Sequence, residues 1–316
     1  MKQSVALQLK GRDFLTLADY QPEEIEYLLD LAKEIKLNQK QGKVYQPLKG
    51  KVLGLIFEKS STRTRVSFEA GVYQLGGTGL FLSSNDIQLG RGETIADTAK
   101  VLSSYLDGIM IRTFAQADVE ELANNASVPV INGLTDTYHP CQVLADLQTI
   151  QEVKGTLSGL KIAYIGDGNN MAHSLMLGAA KMGVHFSTAA PEGYLPDETI
   201  VQKAKEVAVG SSITITTDPI EAVQDADVIY TDVWASMGQE SEQQAREKLF
   251  SAYQVNQELL IHAKPDYTFM HCLPAHRGEE VTAAVIDGGH SVVFQEAENR
   301  IHAQKALMIA LMGQEV

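Results

Sequence analysis

The residues best suited to chemistry begin at Ser60-Ser61-Thr62-Arg63-Thr64-Arg65. This stretch lies between an apolar run of strand length, Lys51 to Phe57, and a helical pattern, Val66 to Leu75, that stops at Gly76-Gly77. The first turn of a helix has free N–H groups and a dipole that favours negative charge. Hydroxyls at Ser61, Thr62 and Thr64 add neutral donors, and Arg63 and Arg65 add forked cationic ones. Together they suit a phosphate or a similar oxyanion. A serine N-cap followed by two solvated arginines would use the same residues. Arg112, ending the apolar run Gly108–Arg112, could reach the same anion or pair with a surface carboxylate.

His139-Pro140-Cys141-Gln142 opens another helical stretch. A histidine at a helix start has its pKa lowered, and as a neutral imidazole it could donate to a carbonyl oxygen. The Gln142 amide oxygen could accept from an N–H group. Gly166-Asp167-Gly168-Asn169-Asn170-Met171 starts like a dinucleotide fingerprint, but Met171 stands where the third glycine belongs. Asn170 at a helix N-terminus instead suits a carboxylate. In His271-Cys272-Leu273-Pro274 a thiol adjoins a proline-rigidified turn. No histidine and aspartate at triad spacing mark Cys272 as a nucleophile. His271 and His276 lack the second ligand cluster that a metal site needs, so no metal is expected.

The elements that must position these residues alternate strand and helix through both halves of the 316 residues. Two parallel α/β sheets follow, the chain length suiting two domains. A first domain over 1–150, completed by a final helix at 296–316, and a second over 151–295 are expected, with an active-site cleft between them. Ligands of such sheets bind beyond the carboxyl ends of strands, near a switch in strand order. Ser61 to Arg65, Arg112, His139, Asn170, Asp232 and Cys272 all follow expected strand ends. The last strand is expected at Ser291–Phe294.

Composition narrows the partners. A net charge of −14 disfavours nonspecific binding to nucleic acid or an anionic membrane, and makes a local arginine cluster more informative. No apolar run is long enough to span a membrane, and the first ten residues hold too short a run for a signal peptide. Two cysteines provide no disulfide framework and fit a reducing, cytoplasmic setting.

Ser61 to Arg65, His139 to Gln142 and His271 to Pro274, taken in order, resemble the aspartate/ornithine carbamoyltransferase family. Asp232 with Ser236-Met237-Gly238 resembles its ornithine branch. The likeness runs from about Phe14 to the final helix. It implies transfer of the carbamoyl group of carbamoyl phosphate to the δ-amine of L-ornithine, giving citrulline for arginine metabolism, without a cofactor. It also implies a homo-oligomer, a trimer or multiple of trimers. By position, Ser61, Thr62, Arg63, Thr64, Arg112, His139, Gln142, Cys272, Leu273 and Arg300 would hold carbamoyl phosphate, with Gln88 reaching into a neighbour's site. Asn170, Asp232, Ser236 and Met237 would hold ornithine, and the 236–238 stretch would close over it. Arg63, Arg112, His139 and Cys272 would serve catalysis. Transfer to putrescine or an N-acylated ornithine, or a non-catalytic homologue, are the alternatives. Intact Arg63, Arg112, His139 and Cys272 disfavour the last.

Replacing Arg63 removes a cation that an anion site cannot spare. Steady-state kinetics of Arg63→Ala are expected to show weaker carbamoyl phosphate binding and turnover lower by several orders of magnitude. Near-normal constants would place the anion elsewhere.

Overall fold

The computed structural model describes residues 2–235 and 240–313. The chain divides into two compact units. One comprises residues up to Gln148 and those from Glu298 onward, and the other Thr149–Ala297.

The first unit opens with α1 (Lys2–Leu9) and α2 (Pro22–Lys40). At α2, Pro22 follows the N-cap Gln21, and a capping box forms with Glu24. Then follow β1 (Val52–Phe57), α3 (Thr62–Gln74), β2 (Thr78–Ser83), α4 (Ile95–Ser103), β3 (Gly108–Arg112), α5 (Gln116–Asn125), β4 (Val130–Leu134) and α6 (Pro140–Lys154), which runs past the change of unit. The strands form one parallel sheet in the order β2-β1-β3-β4. Its core packs Ile56, Ile109, Ile111 and Val130 against Val119 and Leu122 of α5. Each such side chain contributes about 1.5–3 kcal/mol on burial.

The chain steps from β1 outward to β2, then returns to the other side of β1 for β3. The switch in order therefore lies between β1 and β3, where Phe57 and Arg112 are paired in register. The 58–61 loop that leads into α3 leaves one of these strand ends and Arg112 closes the other.

The second unit holds β5 (Lys161–Ile165), α7 (Asn170–Lys181), β6 (His185–Ala189), α8 (Glu198–Val207), β7 (Ile213–Thr216), α9 (Pro219–Val223), β8 (Val228–Thr231), α10 (Gln243–Phe250), α11 (Gln257–Leu260), β9 (Thr268–His271) and α12 (Ala283–Ile286). Its parallel sheet has the order β7-β6-β5-β8-β9. The switch here lies between β5 and β8, with Ile165 opposite Thr231 and Thr231 opposite His271. Three consecutive strand ends thus present the 166–170 turn, Asp232 and Cys272 side by side. Tyr164 and Tyr230 stack beneath them, ring centroids 6.0 Å apart.

The expected strand at Ser291–Phe294 is absent. Ser291 makes a single bridge with Phe269, and Val293 already opens α13 (Val293–Met312). A short β-branched run is ambiguous between a strand and a buried helix start, and here packing chose the helix. From Glu298 onward α13 belongs to the first unit. Its Ala306, Leu307, Met308 and Leu311 are buried, and the Leu311 carbonyl accepts from Gly11 N–H at 2.9 Å.

The 166–170 turn also shows what its glycine is for. A Cβ on Gly168 would lie 2.3 Å from Pro196 N, 2.4 Å from the Leu195 carbonyl carbon and 2.7 Å from Tyr194 O. All three are backbone atoms and cannot swing aside. Close passage of the chain, not a dinucleotide, accounts for this glycine. Gly168→Ala is expected to destabilise the second unit by about 3 kcal/mol or more. Gly193→Ala, with left-handed backbone but open space around it, should cost about 1 kcal/mol. Denaturant titration of both variants checks the difference.

Candidate active site

Ser61 caps α3, its Oγ accepting from Thr64 N–H at 3.1 Å. The hydroxyl thereby fixes the helix start from which Thr62 and Arg63 project. Arg65 does not join the anion loop. Its guanidinium lies 3.5 Å from the centre of the Phe81 ring and pairs with Glu69 at 3.2 Å. Two residues beyond Arg63, about 200° round the helix, it faces Phe81 of β2, so for Arg65 the structural role holds.

Thr64 is buried and is shared by two arginines. Its Oγ1 accepts from Arg112 Nη1 at 3.5 Å and from Arg300 Nη2 at 3.2 Å. Arg300 Nη1 also donates to Gln142 Oε1 at 2.5 Å, and Gln142 Nε2 donates to Asp146 at 2.9 Å. The Gln142 oxygen thus serves Arg300 while its amide nitrogen serves Asp146. Behind Arg300, the buried Asn299 accepts from Lys36 Nζ at 2.7 Å and from Gln148 Nε2 at 3.2 Å.

His139 lies buried just ahead of α6. Burial, then the charges of Arg300, Arg112 and Arg63, hold its pKa well below the ordinary value near 6.5. The imidazole is therefore neutral, as expected, but the main causes are desolvation and three guanidiniums rather than the helix end alone. These three arginines, Thr64, His139 and Gln142 form one cluster in the first unit. Cys141, beside them in sequence, bonds the Asn132 carbonyl, and burial pushes its thiol up to about 12. It is packing.

In the second unit Cys272 Sγ donates to Asp232 Oδ1 at 3.1 Å. Asn169 Nδ2 donates to Asp232 Oδ2 at 3.0 Å, while Asn169 Oδ1 caps α7 through Met171 and Ala172 N–H groups. The asparagine pair was legible, but the cap is Asn169, and Asn170 is the first helical residue. Leu273, with φ 57°, donates its N–H to His271 Nδ1 at 2.9 Å. His271 Nε2 lies 3.1 Å from Glu280 Oε1, both residues fully buried. Nδ1 accepts, so Nε2 carries the proton. Asp232, His271 and Cys272 bring ligand-type atoms within 4.8 Å of one another. Both imidazole nitrogens are nevertheless engaged, which leaves no lone pair for an ion. Glu280 and Glu296, which accepts from His271 N–H at 3.0 Å, brace this loop and carry no motif by which sequence could have marked them.

Gln88 is exposed in a short 3-10 turn, apart from the cluster around His139. Ser236 and Met237, with the stretch expected to close over ornithine, lie outside the described residues.

A cluster of arginines about a neutral imidazole belongs to one parallel α/β unit, and a carboxylate–thiol pair to the other. Residues 12–152 match the carbamoyl-phosphate-binding domain, and 158–311 the aspartate/ornithine-binding domain, of the aspartate/ornithine carbamoyltransferases. The chain belongs to that family. It is 72% identical over 308 residues to the ornithine carbamoyltransferase of Oceanobacillus iheyensis, covering 97% of this chain and 96% of that one. It is 64% identical over 314 residues to that of Anoxybacillus flavithermus, covering 99% and 100%. The solved ornithine carbamoyltransferase of Pyrococcus furiosus superposes with a TM-score of 0.93 at 58% identity, covering 98% of this chain and 99% of that one.

The buried neutral His139 sets a sign for acid stability. Between its depressed native pKa and about 6.5, the unfolded chain binds a proton that the native state refuses. Stability from this residue is complete above about 6.5 and is lost as pH falls below it. Relative to wild type, His139→Gln should lose about 1.4 kcal/mol less per pH unit below that point. Urea unfolding at pH 7 and pH 5.5 measures it.

Proposed function

We propose that the chain transfers the carbamoyl group of carbamoyl phosphate to the δ-amine of L-ornithine, giving L-citrulline and phosphate. The observation that carries this is the clustering of Arg63, Arg112 and Arg300 around a buried imidazole kept neutral. Carbamoyl phosphate is a dianion joined to an electrophilic carbonyl. It asks for cations at one end and an uncharged donor at the other.

In this reading the phosphate rests on the first turn of α3, against Ser61, Thr62, Arg63 and Thr64. Arg112 bridges phosphate and carbonyl oxygen, and His139 donates to the carbonyl. Gln142, Arg300 and the Leu273 carbonyl complete the hold on the carbamoyl group. Asn170, Asp232, Ser236 and Met237 take the α-amino and α-carboxylate groups of ornithine, with Cys272 beside the δ-amine. The deprotonated amine attacks the carbonyl carbon, and a tetrahedral oxyanion forms. Its collapse breaks the bond to phosphate as the nitrogen gives up a proton. Donors fixed in advance around that oxyanion supply the largest share of such catalysis, and alignment of two substrates much of the rest. Nothing in the sequence of steps calls for a covalent intermediate or a cofactor. The division into a carbamoyl-phosphate domain completed by α13 and an ornithine domain belongs to the same proposal.

Ornithine is favoured over putrescine because putrescine lacks the α-carboxylate that a helix start such as that of α7 suits. The names of the relatives agree. A homo-oligomer, a trimer or multiple of trimers, is proposed as well. Val66, Tyr73, Leu80 and Phe81, on α3 and the edge strand β2, are all exposed and apolar. Such a face on an edge strand needs covering. Gln88 would then act in a neighbouring subunit. No described helix is long and apolar enough to cross a membrane, in keeping with a cytoplasmic protein.

The test is formation of the carbamoylated amine from carbamoyl phosphate with ornithine, putrescine and acetylornithine side by side. Product from ornithine alone is expected, and product from another amine would reassign the acceptor. Cys272→Ser should retain activity with a raised ornithine KM. A carbamoyl-thioester trapped by mass spectrometry would instead make the thiol a nucleophile.

A further inference from the structure

We infer that Gln304 is a positioning residue for Arg300, and that it ties Arg300 to the first turn of α3. This rests on the reading of Arg300 as a carbamoyl phosphate ligand. Gln304 lies one turn beyond Arg300 on α13, on the same face, and is buried. Its amide is assigned by its neighbours: with the oxygen toward the guanidinium it accepts from Arg300 Nε at 3.2 Å and Nη2 at 2.9 Å. The reverse orientation would set amide hydrogens against guanidinium hydrogens. Turned this way, its nitrogen donates to Ser67 Oγ at 2.5 Å. Ser67 Oγ in turn bonds the carbonyl oxygens of Arg63 and, at 3.2 Å, Thr64.

Three neutral side chains from three helices therefore hold one planar cation. Gln142 of α6 takes Nη1, Thr64 of α3 takes Nη2, and Gln304 takes the edge formed by Nε and Nη2. A guanidinium held on three sides cannot turn about its Cδ–Nε bond. Its pose is then set before substrate arrives, which removes an ordering cost from binding. The bond to Ser67 carries the same constraint into the backbone of Arg63 and Thr64, where the phosphate is proposed to sit. Without Gln304, the edge of a buried cation would lose its acceptor and Arg300 would rotate to find another.

The experiment compares Gln304→Met, Arg300→Met and the double variant in the full-length protein. Michaelis constants for both substrates and thermal midpoints are measured. Met keeps the volume of Gln304 and removes the hydrogen bonds. Bonds to a charged group of this kind correspond to about a tenfold change or more. Gln304→Met should therefore raise the carbamoyl phosphate KM about tenfold and leave the ornithine KM within about twofold. In the Arg300→Met background it should change neither, because its effect passes through Arg300. A merely structural role would move both constants together, or act equally in both backgrounds, and would overturn the inference. If Arg300→Met leaves carbamoyl phosphate binding intact, the reading of Arg300 itself fails. If Arg300→Met impairs binding but Gln304→Met does not, only the role of Gln304 falls. Should Gln304→Met not fold, Gln304→Asn keeps a buried amide but withdraws it by one methylene, and reads out the same ratio of constants.

Discussion

Holding several arginines close together around a buried imidazole is the constraint on which the first unit depends. Arg112 and Arg300 are both buried, in a chain whose net charge is −14. Like charges at such spacing repel, and burial strengthens the repulsion. The acceptors that Thr64, Gln142 and Gln304 offer Arg300 are all neutral. They orient the guanidinium without cancelling its charge. Arg246 of the second unit makes the contrast. It bonds Asp167 and Glu242, each at 2.9 Å, and the Trp234 carbonyl, and so serves as a brace. The same side chain builds structure or offers charge according to whether its partners are ionised.

That arrangement also explains His139. A protonated imidazole among three guanidiniums would add a fourth positive charge to a buried cluster, so the proton stays off. After burial itself, the arginines are thus the groups that keep the neighbouring imidazole neutral. One electrostatic fact serves binding and polarisation together.

Much of this was legible in sequence because it lay in local pattern. Apolar runs before Ser61, Asp167 and Cys272 placed strand ends correctly, and the switch rule for parallel sheets then pointed to the polar residues beyond them. The failures are equally physical. Arg65 looked like Arg63 because residue type does not show which way a helix face turns. Ser291–Phe294 read as a strand because three apolar residues in a row, Val292, Val293 and Phe294, carry no helical period. Asn169 drew no notice as the cap of α7 because a cap is defined by backbone geometry. Glu280 and Glu296 act through contacts to His271 across loops, to which no motif spacing along the chain corresponds.

The return of α13 to the first unit has a consequence for how the protein comes to life on the ribosome. The anion cluster draws on residues from Ser61 in the first fifth of the chain to Arg300 and Gln304 near its last turns. Its sheet can form once β4 has emerged, but the guanidinium that joins α3 to α6 is translated only after the whole second unit. A nascent chain therefore carries a folded but unfinished cradle through nearly half its synthesis. Contacts so distant in sequence close late and slowly.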